Sequence, residues 1–291
     1  MATIIDGKLV TAKIREEIRN ESAAFEKETG VKPGLAVIIV GDDPASQVYV
    51  RNKGKACEEV GFYSEIHRLP AQTTEEELLS LVHNLNENDK IHGILVQSPL
   101  PKHLDEALIV NNIRYEKDVD AFHPVNVGKI MIGDYNFLPC TPAGVMELLK
   151  AYDIDVCGKE VAVVGRSNIV GKPQAMLMLH ANATVTICHS RTKNLSEVLR
   201  RADVVVMAIG KAKFLKADMI KEGAVIIDVG MNRDENGKLC GDVDFDECEK
   251  KASYITPVPG GVGPMTITML MKNTLTAAKS VQPDGKPTAN A

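Results

Sequence analysis

Short apolar runs alternate with amphipathic stretches along the chain. Residues 10–27 carry the periodicity of an amphipathic helix. After them, Gly34-Leu-Ala-Val-Ile-Ile-Val40 is a continuous apolar, β-branched run ended by Gly41-Asp-Asp-Pro44, which predicts a buried strand and a turn. A helical stretch over 46–60 follows, then a strand near Tyr63–Leu69. Thr74, with Glu77 three residues on, carries the residue pair of a capping box and opens the next helix. Residues 92–97 predict another strand. A second series starts near residue 140, where Thr141-Pro142-Ala-Gly144 opens a helix. Strands follow at Glu160–Val164, Thr184–Cys188, 203–208 and 224–229.

Strands alternating with helices imply βαβ units and mainly parallel sheets. The fold class expected is α/β, with two α/β domains flanking a cleft, the second a Rossmann-like parallel sheet that binds a dinucleotide. The boundaries expected are 1–138 and 139–265, joined near 123–140. A last helix over 266–280 packs back on the first domain, and residues 281–291 form a polar tail.

Composition narrows the partners. Of 291 residues, 44% are hydrophobic and 25% charged, as in an ordinary globular protein with a sizeable core. A formal net charge of −5 and scattered Lys and Arg exclude the basic stripe that duplex nucleic acid requires. With no Trp and 4% aromatic residues, an exposed stacking platform for single strands is excluded too. The six Cys residues show no C-x-x-C and no metal-ligand spacing, so reduced thiols, a cytoplasmic setting and no metal are expected. Asp6 and Lys8 interrupt any signal-peptide core, and no apolar stretch approaches the roughly 20 residues of a membrane span.

The first chemical signal is Gly165-Arg-Ser-Asn-Ile-Val-Gly171, set between the strand ending at Val164 and a helix over 174–180. Backbone N–H groups at a helix N-terminus bind phosphate, and small residues let a pyrophosphate approach. Ser167 replaces the second Gly of G-x-G-x-x-G and the last Gly comes one residue late, so a ligand-free tight turn is the other reading. An NAD site would place a carboxylate at the end of the next strand. Here that strand ends in Cys188-His189-Ser190-Arg191. A hydroxyl and cations suit a 2′-phosphate, which favours NADP with Arg166, Ser190 and Arg191 as contacts, against the reading of solvated surface charges.

The first domain offers less distinctive groups. Tyr49 and Lys53, four apart, share one face of a helix; alone they read equally as a half-buried Tyr beside a solvated Lys. Val96-Gln97-Ser98 stands at a strand's carboxyl end, where open α/β sheets bind ligands. Lys117-Asp-Val-Asp120 puts two acids beside a loop, as a solvated charge cluster also would.

Taken in order, Tyr49-x-x-x-Lys53, Gln97-Ser-Pro-Leu-Pro, Asp118-Val-Asp120, Pro139-Cys-Thr-Pro-x-Gly144, Gly165-Arg-Ser-x-x-Val-Gly-x-Pro173 and Pro257-Val-Pro-Gly-Gly-Val-Gly-Pro-Met-Thr266 closely resemble the methylenetetrahydrofolate dehydrogenase/cyclohydrolase family, in its short bacterial, bifunctional form. The resemblance runs from about residue 3 to about residue 280. It implies oxidation of 5,10-methylenetetrahydrofolate with NADP to the 5,10-methenyl form, then hydrolysis to 10-formyltetrahydrofolate, by a homodimer in one-carbon metabolism. By the same resemblance Tyr49 stacks on the folate ring, Lys53 is the acid/base of hydrolysis, Gln97 holds its amine and Asp120 anchors the pterin. Val96 and Ser98 flank that site, and Pro259, Gly260, Gly261 and Val262 belong to a wall between folate and nicotinamide. Gly165, Arg166, Ser167, Ser190 and Met231 match cofactor positions. Ser98, Ala121 and Met231 depart from the residues the family more often has there. They bear on the shape of the folate pocket and on the cofactor contact at 231, and no reacting group is lost.

The chemistry agrees with those roles. Hydride loss leaves a delocalised cation, so that step needs alignment more than an acid or base. Hydrolysis needs a proton taken from water and one returned to the departing nitrogen, which a Lys of lowered pKa can do. Two rivals stand beside this reading. A hydroxy-acid dehydrogenase of the shikimate kind has no use for Tyr49 or residues 257–266, and a non-catalytic dinucleotide sensor has no reason to keep Lys53 and Gln97 together.

Overall fold

The computed structural model describes residues 1–281, so the polar tail expected over 281–291 lies outside them from residue 282 on. The elements are β1 (Thr3–Ile4), α1 (Gly7–Thr29), β2 (Gly34–Val40), α2 (Pro44–Val60), β3 (Tyr63–Leu69), α3 (Glu75–Asn86), β4 (Gly93–Val96), α4 (Glu106–Asn112), α5 (Pro124–Ile132) and α6 (Cys140–Ala151). They continue with β5 (Glu160–Val164), α7 (Gly171–His180), β6 (Thr184–Cys188), α8 (Leu195–Arg201), β7 (Val204–Met207), a 3₁₀ turn (Ala217–Met219), β8 (Val225–Asp228), β9 (Asn232–Arg233), β10 (Leu239–Cys240), α9 (Phe245–Cys248), β11 (Tyr254–Ile255) and α10 (Val262–Lys279).

The chain forms two compact units, one of residues 13–140 with residues from 267 on, the other of residues 1–12 with 141–266. The first holds a parallel sheet in the order β3-β2-β4. β2 is its centre and is buried along its whole length, hence its unbroken apolar run. The core joins Ile38, Val40 and Ile94 of the sheet to Leu78, Val82 and Leu85 of α3. The capping box at Thr74 and Glu77 is formed. Beyond β4, Ile94 bridges Asp118 in parallel, and Ile94 N–H donates to Lys117 O at 2.8 Å. Asp118 thus makes a single bridge to β4, and Asp120 follows two residues on, in a turn.

The second unit holds a six-stranded parallel sheet in the order β1-β11-β8-β7-β5-β6, with β9 and β10 forming a separate antiparallel pair. β7 and β8 are wholly buried. The chain leaves β5 through α7 to β6 on one side, and β7 then lies on the other. That makes the carboxyl ends of β5 and β7 the topological switch point, where such sheets bind ligands.

Several elements differ from the sequence reading. The assignment of all of 1–138 to the first domain does not hold for its first residues, because β1 pairs in parallel with β11 and takes residues 1–12 into the second unit. The stretch 123–140 is not an open linker. α5 occupies half of it, with Pro in its first turn, the His123 ring accepting from Val125 N–H and Gly133 closing it at φ 80°. α10 begins at Val262 rather than 266; Pro264 sits in its first turn, where no backbone N–H is needed.

Candidate functional site

α2 presents Val50, Lys53, Ala56, Cys57 and Val60 to the core. Lys53 is therefore a lysine at a core position, 8% exposed. Its Nζ donates to Gln97 Oε1 at 2.9 Å. Gln97 Nε2 in turn donates to Ser98 O at 2.7 Å, which fixes the oxygen end of the amide toward the amine. Burial pushes the Lys53 amine below the usual lysine value, and the nearby Asp120 carboxylate raises it back in part. Asp120 itself is pushed upward by burial and held down by Lys53. Tyr49, one turn before Lys53 on α2, is half-buried, and burial raises its phenol. Val96 closes β4 and Ser98 is exposed, its Oγ hydrogen-bonded to Glu106.

Sequence reading missed two residues around this group, Cys140 and Asn273. Cys140 Sγ donates to Asp120 Oδ1 at 3.5 Å and to Val119 O at 3.6 Å, and burial keeps it a thiol by raising its pKa well above the usual value. Asn273 Nδ2 ties Val119 O and Leu138 O together at 2.8 Å each. Asp118 does not share Asp120's surroundings; its Oδ2 accepts from His123 N–H at 2.7 Å and Asn126 Nδ2 at 2.8 Å, and burial lifts its pKa to about 6. The chain turns at residues 119–120, and the two acids have different surroundings, Asp118 bound to His123 and Asn126 and Asp120 beside Lys53. Ala121, where a Gly is more usual, takes φ 58°, the left-handed conformation that a side chain disfavours.

In the other unit, β5 runs straight into Gly165, whose φ is 141°. A Cβ there would meet Ala208 O at 2.3 Å, and one on Gly171 would meet Gly165 O at 2.3 Å and Arg166 N at 2.7 Å. The loop is thus folded so tightly that only Gly fits at both ends. Ser167 Oγ accepts from Val170 N–H at 3.1 Å and Gly171 N–H at 3.3 Å, capping the start of α7. A pocket of about 260 Å³ opens beside this loop, lined in part by Gly165, Arg166, His189, Ser190, Lys211 and Phe214. Arg191 is exposed and stands outside that lining; its backbone N–H donates to His189 Nδ1 at 3.1 Å. Met231 is exposed in the segment after β8, its Cε 3.8 Å from a Cβ position on Gly263. Pro259, Gly260, Gly261 and Val262 lie in this unit, not in that of Lys53, and Gly7 N–H donates to Gly260 O at 2.9 Å.

Two buried acids that the sequence did not single out shape the same region. Asp242, fully buried, accepts from the N–H groups of Ile209 (2.7 Å), Gly210 (3.1 Å) and Lys211 (2.7 Å) and from Asn232 Nδ2 (2.9 Å). Asp228 accepts from Gly230, Asp242 and Val243 N–H, each at 2.9 Å, and burial raises its pKa to about 7. Apart from Gly230, these backbone donors lie 14 to 33 residues away in sequence and leave no pattern in it. Among the described residues no cluster of His, Cys, Asp and Glu could hold a metal ion, and no helix is long and apolar enough to cross a membrane.

The residues needed for a dinucleotide fit the phosphate loop: two glycines without room for a Cβ, and cations with a hydroxyl at the next strand end. Two family models match the chain. Residues 5–120 match "Tetrahydrofolate dehydrogenase/cyclohydrolase, catalytic domain", and residues 139–282 match the NAD(P)-binding domain of the same family. The chain is 61% identical over 278 residues to the "Bifunctional protein FolD" of Acetivibrio thermocellus, covering 96% of this chain and 97% of that protein. Its fold is similar to the crystal structure of the bifunctional enzyme FolD, methylenetetrahydrofolate dehydrogenase/cyclohydrolase, of Campylobacter jejuni, with a TM-score of 0.94, 54% identity and coverage of 96% and 99% of the two chains. It is also similar to the Trypanosoma brucei FolD enzyme complexed with NADP cofactor and an inhibitor, with a TM-score of 0.91, 44% identity and coverage of 96% and 97%.

Proposed function

Because the chain belongs to the tetrahydrofolate dehydrogenase/cyclohydrolase family, we propose that it oxidises 5,10-methylenetetrahydrofolate to the 5,10-methenyl form with NADP and hydrolyses that product to 10-formyltetrahydrofolate. One observation carries the assignment of its chemistry to residues: Lys53, buried at a core position of α2, is held by Gln97 at 2.9 Å beside Asp120.

When bound, NADP supplies the hydride acceptor. The phosphate loop from Gly165 to Gly171 would hold its pyrophosphate through backbone N–H groups, and Arg166 and Ser190, which line the pocket, would take its 2′-phosphate, with Arg191 and Met231 as outlying contacts. For hydrolysis, the lowered pKa of Lys53 leaves more of its amine neutral near pH 7 than in an ordinary lysine. That amine takes a proton from the attacking water and returns one to the departing ring nitrogen. Gln97 orients it; Asp120 anchors the donor-rich face of the pterin, Tyr49 stacks on the folate ring, and Val96 and Ser98 complete the folate contacts of this unit. The proposal extends to a homodimer in the cytoplasm. All six cysteines are free, which suits a reducing compartment.

The deciding experiment gives the purified chain methylenetetrahydrofolate and NADP and follows methenyl absorbance. A rise followed by decay is expected; no change would return the chain to the class of dinucleotide sensors. A second expectation concerns pH. Asp120 raises the Lys53 pKa, so removing its charge lets that pKa fall further. In Asp120→Asn the ascending limb of kcat for hydrolysis should move to lower pH, by about one to two units. A limb that stays in place or moves alkaline would separate Asp120 from the amine.

A further inference from the structure

The pocket of about 260 Å³ beside the phosphate loop contains a cation that neither the phosphate motif nor the strand-end motif includes. Lys211 lies in the segment after β7, and two independent contacts hold it at the pocket. Its backbone N–H donates to Asp242 Oδ1 at 2.7 Å, and the preceding two N–H groups donate to Oδ2 of the same fully buried carboxylate. Its Nζ stands 5.8 Å from the centroid of Phe214, a ring that lines the same pocket. An ordinary surface lysine has neither its backbone clamped nor its ammonium seated on a ring. None of the residues lining the pocket is acidic.

We propose that Lys211 is a specificity-determining residue for the 2′-phosphate of the cofactor, acting with Arg166 and Ser190. Its assignment rests on the reading of the chain as an NADP-linked enzyme. The physical case is one of charge and pre-organisation. A phosphate monoester dianion presents three acceptor oxygens, and Arg166, Ser190 and Lys211 offer donors from three different strand ends. A single exposed cation contributes little, because solvent and salt screen it and its side chain must be ordered. The Asp242 clamp and the Phe214 ring remove much of that ordering cost before the ligand arrives. A 2′-hydroxyl carries no charge to reward three such donors, so the pocket discriminates by what NAD lacks.

Equilibrium binding of two fragments tests this without turnover. Adenosine 2′,5′-bisphosphate and 5′-AMP are titrated calorimetrically into the full chain and into its Lys211→Ala and Lys211→Arg variants. In Lys211→Ala the preference for the bisphosphate should fall about tenfold, and Lys211→Arg should keep it within about twofold, as expected for loss and retention of one charge-assisted hydrogen bond. The ratio of kcat/KM for NADP to that for NAD should follow the same order. Lys211 is exposed, so neither substitution disturbs a core. A wild-type chain that prefers the bisphosphate while Lys211→Ala keeps that preference would overturn the role of Lys211 alone. A wild-type chain without the preference would overturn both the NADP reading and this one.

Discussion

Lys53→Met is expected to abolish hydrolysis of methenyltetrahydrofolate while NADP binding persists. Positioned acid/base groups contribute about 10²–10⁴-fold, and at least that loss should be seen when the purified variant is given the methenyl compound directly. Met matches the length and flexibility of the lysine stem and suits a position that is 8% exposed, so the fold has no reason to fail. What disappears is the amine and its bond to Gln97 Oε1. Undiminished hydrolysis would remove Lys53 from the mechanism. A variant that also loses NADP affinity would point to a folding defect, since the cofactor pocket belongs to the other unit.

Gly171→Ala should produce the opposite pattern. The added Cβ would lie 2.3 Å from Gly165 O and 2.7 Å from Arg166 N, so the peptide that begins the phosphate loop must move. Overpacking of this kind costs about 1–3 kcal/mol, equivalent to roughly a tenfold to hundredfold change if it falls on cofactor affinity. Weaker NADP binding by direct titration is therefore expected, with hydrolysis of supplied methenyltetrahydrofolate within about twofold of wild type. Unchanged NADP affinity would mean that the loop does not bind the pyrophosphate. Together the two variants separate activities that one chain carries.

Much of this was legible in the sequence, and the parts that were not share a cause. β2, β5, β7 and β8 announce themselves because burial on both faces demands near-continuous apolar runs, broken only by Glu160 at the start of β5 and Asp228 at the end of β8. The phosphate loop is legible because Gly is the only residue that its close approaches admit. Helix spacing and a strand end pick out Lys53 and Gln97, but their roles come only from the family resemblance, since a lysine on a helix carries no sign that it faces a core. The different settings of Asp118 and Asp120 do not show in the sequence: the first accepts from His123 N–H and Asn126, and the second lies beside Lys53 and Cys140. Cys140, Asp242 and Lys211 escaped for the same reason. Each acquires its surroundings from segments distant in sequence, such as the run from Ile209 to Lys211 that closes on Asp242. α5 was hidden differently, by a Pro and a Gly that read as breakers but serve as its first turn and its cap.

The order of the two units along the chain bears on how the protein is made. Residues 1–12 belong with 141–266, and residues 13–140 with those from 267 on, so neither unit is a continuous stretch. Met271 and Leu275 of α10 are buried, and Cys57 Sγ contacts Met271 Sδ at 3.7 Å. Asn273 ties down the backbone at Val119, immediately before Asp120. On the ribosome, the unit holding Lys53 therefore emerges early yet lacks the helix that completes it until residues past 267 have been synthesised. Its nascent form must wait with apolar surface uncovered while the dinucleotide sheet is made, so the hydrolytic residues, written first, reach their final setting last.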